Sequence, residues 1–248
     1  MKDWRKEHSY VIKQFLLALN KSTDKFVLKG GTALKTCYGL DRFSEDIDLD
    51  GMRGSRIAPF LKTFCEARGY GYRLRKDTDT VERYFLDYGS QEHSLKIEVS
   101  YREQQRNPKN ITNVNGIAVY TVDRLAKMKA AAYGARDKIR DLYDIVFICK
   151  EKFSDLSEGT KEILSDAIGA KGLEQFDYLV ATQKDPLIDK EKLAFDFLEV
   201  NDKLGLLYSK EEKETLVLKE VSEKVSEGKK PSLRPKAKLS DKDISLER

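Results

Sequence analysis

The sequence predicts an α+β fold: a lobe built on a mixed or antiparallel sheet flanked by helices, followed by an α-helical bundle lobe. Three observations predict it. Apolar and polar residues alternate between Tyr70 and Val122, which is the period of strands. After Asp123 the apolar residues recur every three or four positions, which is the period of helices. Ahead of both stands the stretch from Lys29 to Asp50, where a glycine pair precedes a run of alternating acidic and apolar residues.

The elements follow in order. Trp4, Val11, Phe15 and Leu19 lie at helical spacing, so residues 4 to 19 form an amphipathic helix. Phe26-Val27-Leu28 is a short strand feeding a tight turn at Gly30-Gly31, and Ala33 to Tyr38 is a short helix ended by Gly39. Asp46 to Asp50 forms the next strand, with Ile47 and Leu49 turned into a core and Asp46, Asp48 and Asp50 along one edge of a cleft. Ile57, Phe60, Leu61 and Phe64 mark a helix over 57 to 68, stopped by Gly69. Strands follow around Leu74, from Val81 to Tyr88, from Leu95 to Tyr101 and from Ile117 to Val122. In the Leu95 strand, Lys96, Glu98 and Ser100 share a face, which makes Glu98 a candidate third carboxylate if it lies beside the Asp46 strand.

Six helices are expected after Asp123: Arg124 to Tyr133, Ile139 to Lys150, Thr160 to Ile168, Leu173 to Thr182, Glu191 to Leu206 and Glu211 to Val225. Residues 229–238 hold five basic residues, two prolines and no acid, the composition of a disordered basic tail. The expected division is therefore 1–122, 123–226 and a tail over 227–248. No apolar run approaches the ~20 residues of a membrane span, and the N-terminus lacks a signal peptide's apolar centre, so a cytoplasmic protein without a membrane partner is expected.

Cys37, Cys65 and Cys149 show neither a zinc spacing nor a disulfide framework, and they read as buried small apolar residues in a reduced compartment. His8 and His93 have no partner at a metal or triad spacing, which leaves zinc and serine-hydrolase chemistry without support. Paired carboxylates two residues apart on a strand suit Mg²⁺, which takes oxygen ligands and completes its octahedron with water and substrate phosphate. The carboxylates repel one another, so a cation belongs between them. This chemistry points toward phosphoryl or nucleotidyl transfer. Net charge is only +4, so nucleic-acid binding turns on where charge sits. Arg68, Arg73, Arg75 and Lys76, interleaved with Tyr70 and Tyr72, and then Arg102, Arg106 and Lys109, form a candidate nucleic-acid surface.

The Gly30-Gly31-Thr32 turn, the Arg42-Phe-Ser44-Glu-Asp46-Ile-Asp48 run, and Lys129 followed by Arg140-Asp141-Leu-Tyr-Asp144 resemble the AbiEii-type nucleotidyltransferases. These are toxin components of bacterial type IV toxin–antitoxin and abortive-infection systems, related to the polymerase-beta-like superfamily. The resemblance covers residues 25 to 150. General nucleotidyltransferases carry Gly-Ser with a shorter spacing to the aspartates; the Gly-Thr turn and longer segment here match the AbiEii branch.

The resemblance implies an NTP substrate and two Mg²⁺ ions held by Asp46, Asp48 and a third carboxylate, Glu98. It implies that Gly30, Gly31 and Thr32 cradle the triphosphate and that Ser44 orients it. Lys129 would contact phosphate, and Asp141 would sit across the cleft, where it or Glu98 could deprotonate the attacking hydroxyl; Asp144 shares its helical face, and Arg140 pairs with a carboxylate. The implied acceptor is the 3′ end of an RNA, with tRNA as the target, and an antitoxin would be encoded nearby. The rival readings are a nucleotide-binding regulatory protein with a degenerate site and a housekeeping transferase.

Overall fold

A computed structural model describes residues 4–90, 93–102 and 107–207. Arg106, the helix expected from Glu211 to Val225 and the basic tail lie outside the described residues. By their contacts, Met1–Leu206 form one compact unit.

The chain opens with α1 (Trp4–Ser22), whose buried Val11, Ile12, Phe15, Leu16 and Leu19 form the apolar stripe that the spacing predicts. Then come β1 (Phe26–Lys29), α2 (Gly30–Tyr38), β2 (Ile47–Gly51) and α3 (Ala58–Glu66). The antiparallel run is β3 (Gly71–Asp77), β4 (Val81–Asp87) and β5 (Leu95–Ser100), and β6 (Ile111–Val114) and β7 (Ile117–Tyr120) form a hairpin. The helices α4 (Val122–Ala135), α5 (Ile139–Glu151), α6 (Glu158–Gly169), α7 (Gly172–Thr182) and α8 (Lys190–Lys203) complete the unit.

The strands make one seven-stranded mixed sheet in the order β3-β4-β5-β2-β1-β7-β6. β2 is antiparallel to β1 and parallel to β5, and β1 is parallel to β7. Ile47, Leu49, Tyr84, Leu86, Leu95, Ile97 and Val99 are all buried, so alternation places one continuous apolar face under the sheet. Phe15 and Phe60 and Phe64 pack edge to face there, tying α1 to α3.

Several local expectations change. The glycine pair does not precede the helix; it forms the first turn of α2, with Gly30 in the left-handed region at φ 76°. Asp46 lies just outside β2. β6 has no counterpart in the sequence analysis; it joins β7 through the turn Asn115-Gly116, both at positive φ, as a two-residue hairpin requires. Cys37 is only partly buried, whereas Cys65 and Cys149 are buried. Tyr143 is core, and its hydroxyl donates to Asp41 Oδ1 at 2.8 Å.

Candidate active site

The register that joins β2 to β5 sets the site. Asp48 pairs with Glu98 across the parallel ladder, so the two carboxylates leave the sheet on the same face, and Asp46, two residues earlier, projects beside them. Glu98 is thus adjacent to the aspartates although nothing local in its strand marks it. Burial raises the pKa of Asp48 above the usual carboxylate range; Lys96 opposes this, while Asp46 and Glu98 add to it. Lys96 forms an ion pair with Asp46, and Arg83 Nε donates to Glu98 at 2.6 Å.

Asp50 departs from the expected acidic edge. It is buried, accepting from Lys29 Nζ at 2.5 Å and from the Tyr120 hydroxyl at 3.0 Å, so it ties β1 and β7 to β2. β2 lies between β5 and β1 in the sheet, and its far end is tied to β7 through the Tyr120 hydroxyl.

Above Asp48 stands the start of α2. A Cβ on Gly30 would lie 2.8 Å from Asp48 Oδ2, and one on Gly31 would lie 2.8 Å from Arg42 Nη2 and 3.0 Å from Ser44 Oγ. Only glycine lets the helix start come this close to the carboxylate. The N-cap residue Lys29 supplies no side-chain cap to the first N–H groups of α2, which have no intrahelical acceptor, the arrangement that binds phosphate. Thr32 differs from expectation: its buried hydroxyl donates to the Asp46 carbonyl and lies 2.9 Å from Ser44 Oγ. Thr32 therefore holds the Ser44–Asp46 segment instead of offering its hydroxyl to a ligand. His8 holds the same segment from α1, donating from Nε2 to the Glu45 carbonyl and accepting at Nδ1 from Tyr88 Oη, both at 2.7 Å.

The helical side is an ion network. Arg42 grips Asp144 through two bonds of 2.7 Å, and Lys129 Nζ lies 2.7 Å from Asp144 and 3.3 Å from Asp141. Arg136 Nε donates to Asp141 at 2.7 Å. Asp141 is in the first turn of α5 and almost fully buried. Burial pushes its pKa up, but the Arg136 hydrogen bonds and the Lys129 charge outweigh it and hold the carboxyl below the ordinary range. Lys129 and Asp141 thus pair with each other. Arg140 joins this side to the segment before β2: its Nε donates to Asp185 at 2.5 Å and its Nη1 lies 3.7 Å from the Glu45 carboxylate. Between Arg136 and Arg140 opens a cavity of about 570 Å³ lined by these two, Lys138 and Lys184 among others.

Arg42, Asp144, Arg136, Lys96 and Arg83 received no role in the sequence analysis beyond Asp144's helical face. Arg42 and Asp144 both lie in the motifs noted there, and their opposite charges were the available signal. Among the other candidates, Arg102 is exposed at the end of β5, and Arg73, Arg75 and Lys76 lie on the exposed edge strand β3. Arg68 stacks over Phe64 at 3.9 Å. Tyr72 points with Tyr84 to the opposite face from Arg73, so the interleaved tyrosine and arginines are separated by strand alternation.

Among the described residues no group of three His, Cys, Asp or Glu side chains is placed to hold a metal ion. The donor set nevertheless fits a hard cation. Asp46 and Asp48 offer oxygens only, and Glu98 is in register beside them. No helix among the described residues is long and apolar enough to cross a membrane.

The family described as "Nucleotidyl transferase AbiEii toxin, Type IV TA system" matches residues 14–223. Among solved structures, JHP933 from Helicobacter pylori is 26% identical with a TM-score of 0.68, covering 90% of this chain and 99% of its own. A putative nucleotidyltransferase from H. pylori is 25% identical with a TM-score of 0.66, covering 84% of this chain and 100% of its own. No curated protein matches the chain. With the glycine-started helix, the paired aspartates and a match across most of its length, the chain belongs to the AbiEii nucleotidyltransferase toxin family.

Proposed function

We propose that the protein transfers a nucleotide from an NTP to the 3′ end of an RNA in a Mg²⁺-dependent reaction, with tRNA as the acceptor. The observation that carries this reading is the approach of Gly30 to Asp48 Oδ2, too close to admit a Cβ, which brings an uncapped helix start up to the carboxylates. Asp46 and Asp48, with Glu98, would hold Mg²⁺, which when bound supplies charge to the attacking and leaving oxygens.

The chain's own residues do the rest. The α2 N–H groups and the Ser44 hydroxyl bind the triphosphate, and Gly30 and Gly31 let it approach. Arg136 and Arg140 offset its negative charge from the helical side, where they already sense Asp48 and Asp46. Lys129 and Asp141 act as positioning residues: buried between α4 and α5, they fix Arg136 and the Arg42–Asp144 pair. Asp141, almost fully buried between Arg136 and Lys129, is withdrawn from the face where the hydroxyl would attack. Glu98, half-exposed on the open face, is the carboxylate suited to take the hydroxyl proton as the new O–P bond forms and pyrophosphate leaves.

Incubating the protein with each labelled NTP, Mg²⁺ and total tRNA tests this. The expected outcome is labelled RNA that disappears with EDTA and with Asp46→Asn, whose thermal unfolding matches the parent. No label with any NTP, from protein that still binds nucleotide, overturns the reading. As a toxin paired with an antitoxin, the protein should arrest growth on induction, and Asp46→Asn should not.

A further inference from the structure

The pairing register extends the active-site face beyond the carboxylates. Glu98 on β5 pairs with Arg83 on β4, Lys96 pairs with Phe85, and Phe85 pairs in turn with Arg73 on β3. Cross-strand partners share a face, so Asp48, Glu98, Lys96, Arg83, Phe85 and Arg73 all point to one side. The opposite side carries the buried core. A bulge between Leu74 and Lys76 brings Lys76 opposite Arg83, and the Arg75 guanidinium lies 5.8 Å from the centre of the Phe85 ring.

This outer half of the face is open. Arg73, Arg75 and Lys76 are exposed and Phe85 and Lys96 half-exposed, although a phenylalanine at mid-strand ordinarily packs under something. Among the described residues the acids nearby are Asp46, Asp48 and Glu98 at the site and Asp87 at the rim, whose contact with Arg73 is a loose 3.9 Å between half-exposed groups. Away from the carboxylates the surface is therefore basic around one aromatic ring. Three strand spacings of about 4.8 Å separate β2 from β3, so the strip runs about 14 Å from the site to the sheet edge.

We propose that this strip, from Lys96 across Phe85 to Arg73 and Arg75, is the track that receives the single-stranded 3′ end of the acceptor RNA. It rests on the reading that the site transfers nucleotides to RNA, and continuity with the carboxylates and charge complementarity single out the occupant. A base stacks on Phe85, and the arginines and Lys96 take the phosphates on either side. An acidic protein would use the charges without the ring.

Fluorescence anisotropy with a labelled 12-nucleotide single-stranded RNA, its duplex and polyglutamate tests this on the full-length protein without NTP. Phe85→Ala should weaken single-strand binding about tenfold, and Phe85→Tyr should restore it. The double variant Arg73→Ala/Arg75→Ala should lower the slope of log K against log salt by about 1.4, at about 0.7 per phosphate contact. Nucleotide binding and thermal unfolding should stay at parental values in all three. The proposal is overturned if the parent binds no single-stranded RNA, if it prefers the duplex, if Phe85→Ala binds normally, or if polyglutamate binds as well as RNA. Because binding is read without transfer, tight RNA binding by a chain that labels no RNA would overturn the catalytic reading and leave the track standing.

Discussion

Asp48 sits against Gly30 with Asp46 and Glu98 as like-charged neighbours, and burial together with those charges raises its pKa. A carboxyl whose folded pKa exceeds its unfolded value costs stability whenever it is ionised, and the cost vanishes as pH falls through the folded pKa. Asp48→Asn should therefore leave the melting temperature at pH 7 unchanged or higher while transfer falls about a hundredfold or more. Calorimetry and the labelling assay on one preparation check both halves. A large fall in melting temperature would mean that Asp48 serves the fold. Asp46 and Asp48 were legible from sequence because strand alternation acts over two residues. Thr32 was misread because its partner, the Asp46 carbonyl, is a backbone group that no residue type announces.

Arg42 and Asp144 join the segment before β2 to α5 with both side chains nearly excluded from solvent. Removing one partner strands a buried charge, so Asp144→Ala should cost roughly 3–5 kcal/mol in denaturant unfolding, whereas Arg42→Leu/Asp144→Leu should cost less than the sum of its single variants. A cost below about 1 kcal/mol for Asp144→Ala would rule out the network as a structural joint. The start of α6 offers a pH-dependent counterpart. Burial raises the Asp123 pKa, but hydrogen bonds from Thr160 and Ser157 outweigh it and bring the carboxyl down to about 2. Its stabilisation is fully present above the unfolded value of about 3.9 and is lost as pH falls through about 2. Asp123→Asn should remove about 1–2 kcal/mol at pH 7, below full linkage because a quarter of the side chain stays in water, and nothing near pH 2. Equal losses at both pH values would show that the carboxylate's charge is not what holds α6. Helix and strand periods were readable at this scale; the partner of Asp123 was not, because it lies 37 residues away.

For the molecule as a whole, the sheet class followed from alternation, but the strand order did not. That β5 inserts beside β2, instead of staying at the end of its meander, is what brings Glu98 to Asp48 and opens the basic strip, and no local pattern encodes it. Contacts gather Met1–Leu206 into one compact unit, and the family match ends at residue 223, ahead of residues 227–248. Deleting 227–248 should leave the melting temperature unchanged. It also removes the five basic residues of 229–238, which contain no acid. If they contact RNA phosphates, the salt slope of single-strand binding should fall by up to about 3.5, independently of the Arg73→Ala/Arg75→Ala loss. The two effects should add, because each cation displaces its own counterions, and titrations at several salt concentrations read them separately. An unchanged slope after the deletion would confine the electrostatic contribution to the folded sheet, with Lys96, Arg73 and Arg75 as its main carriers.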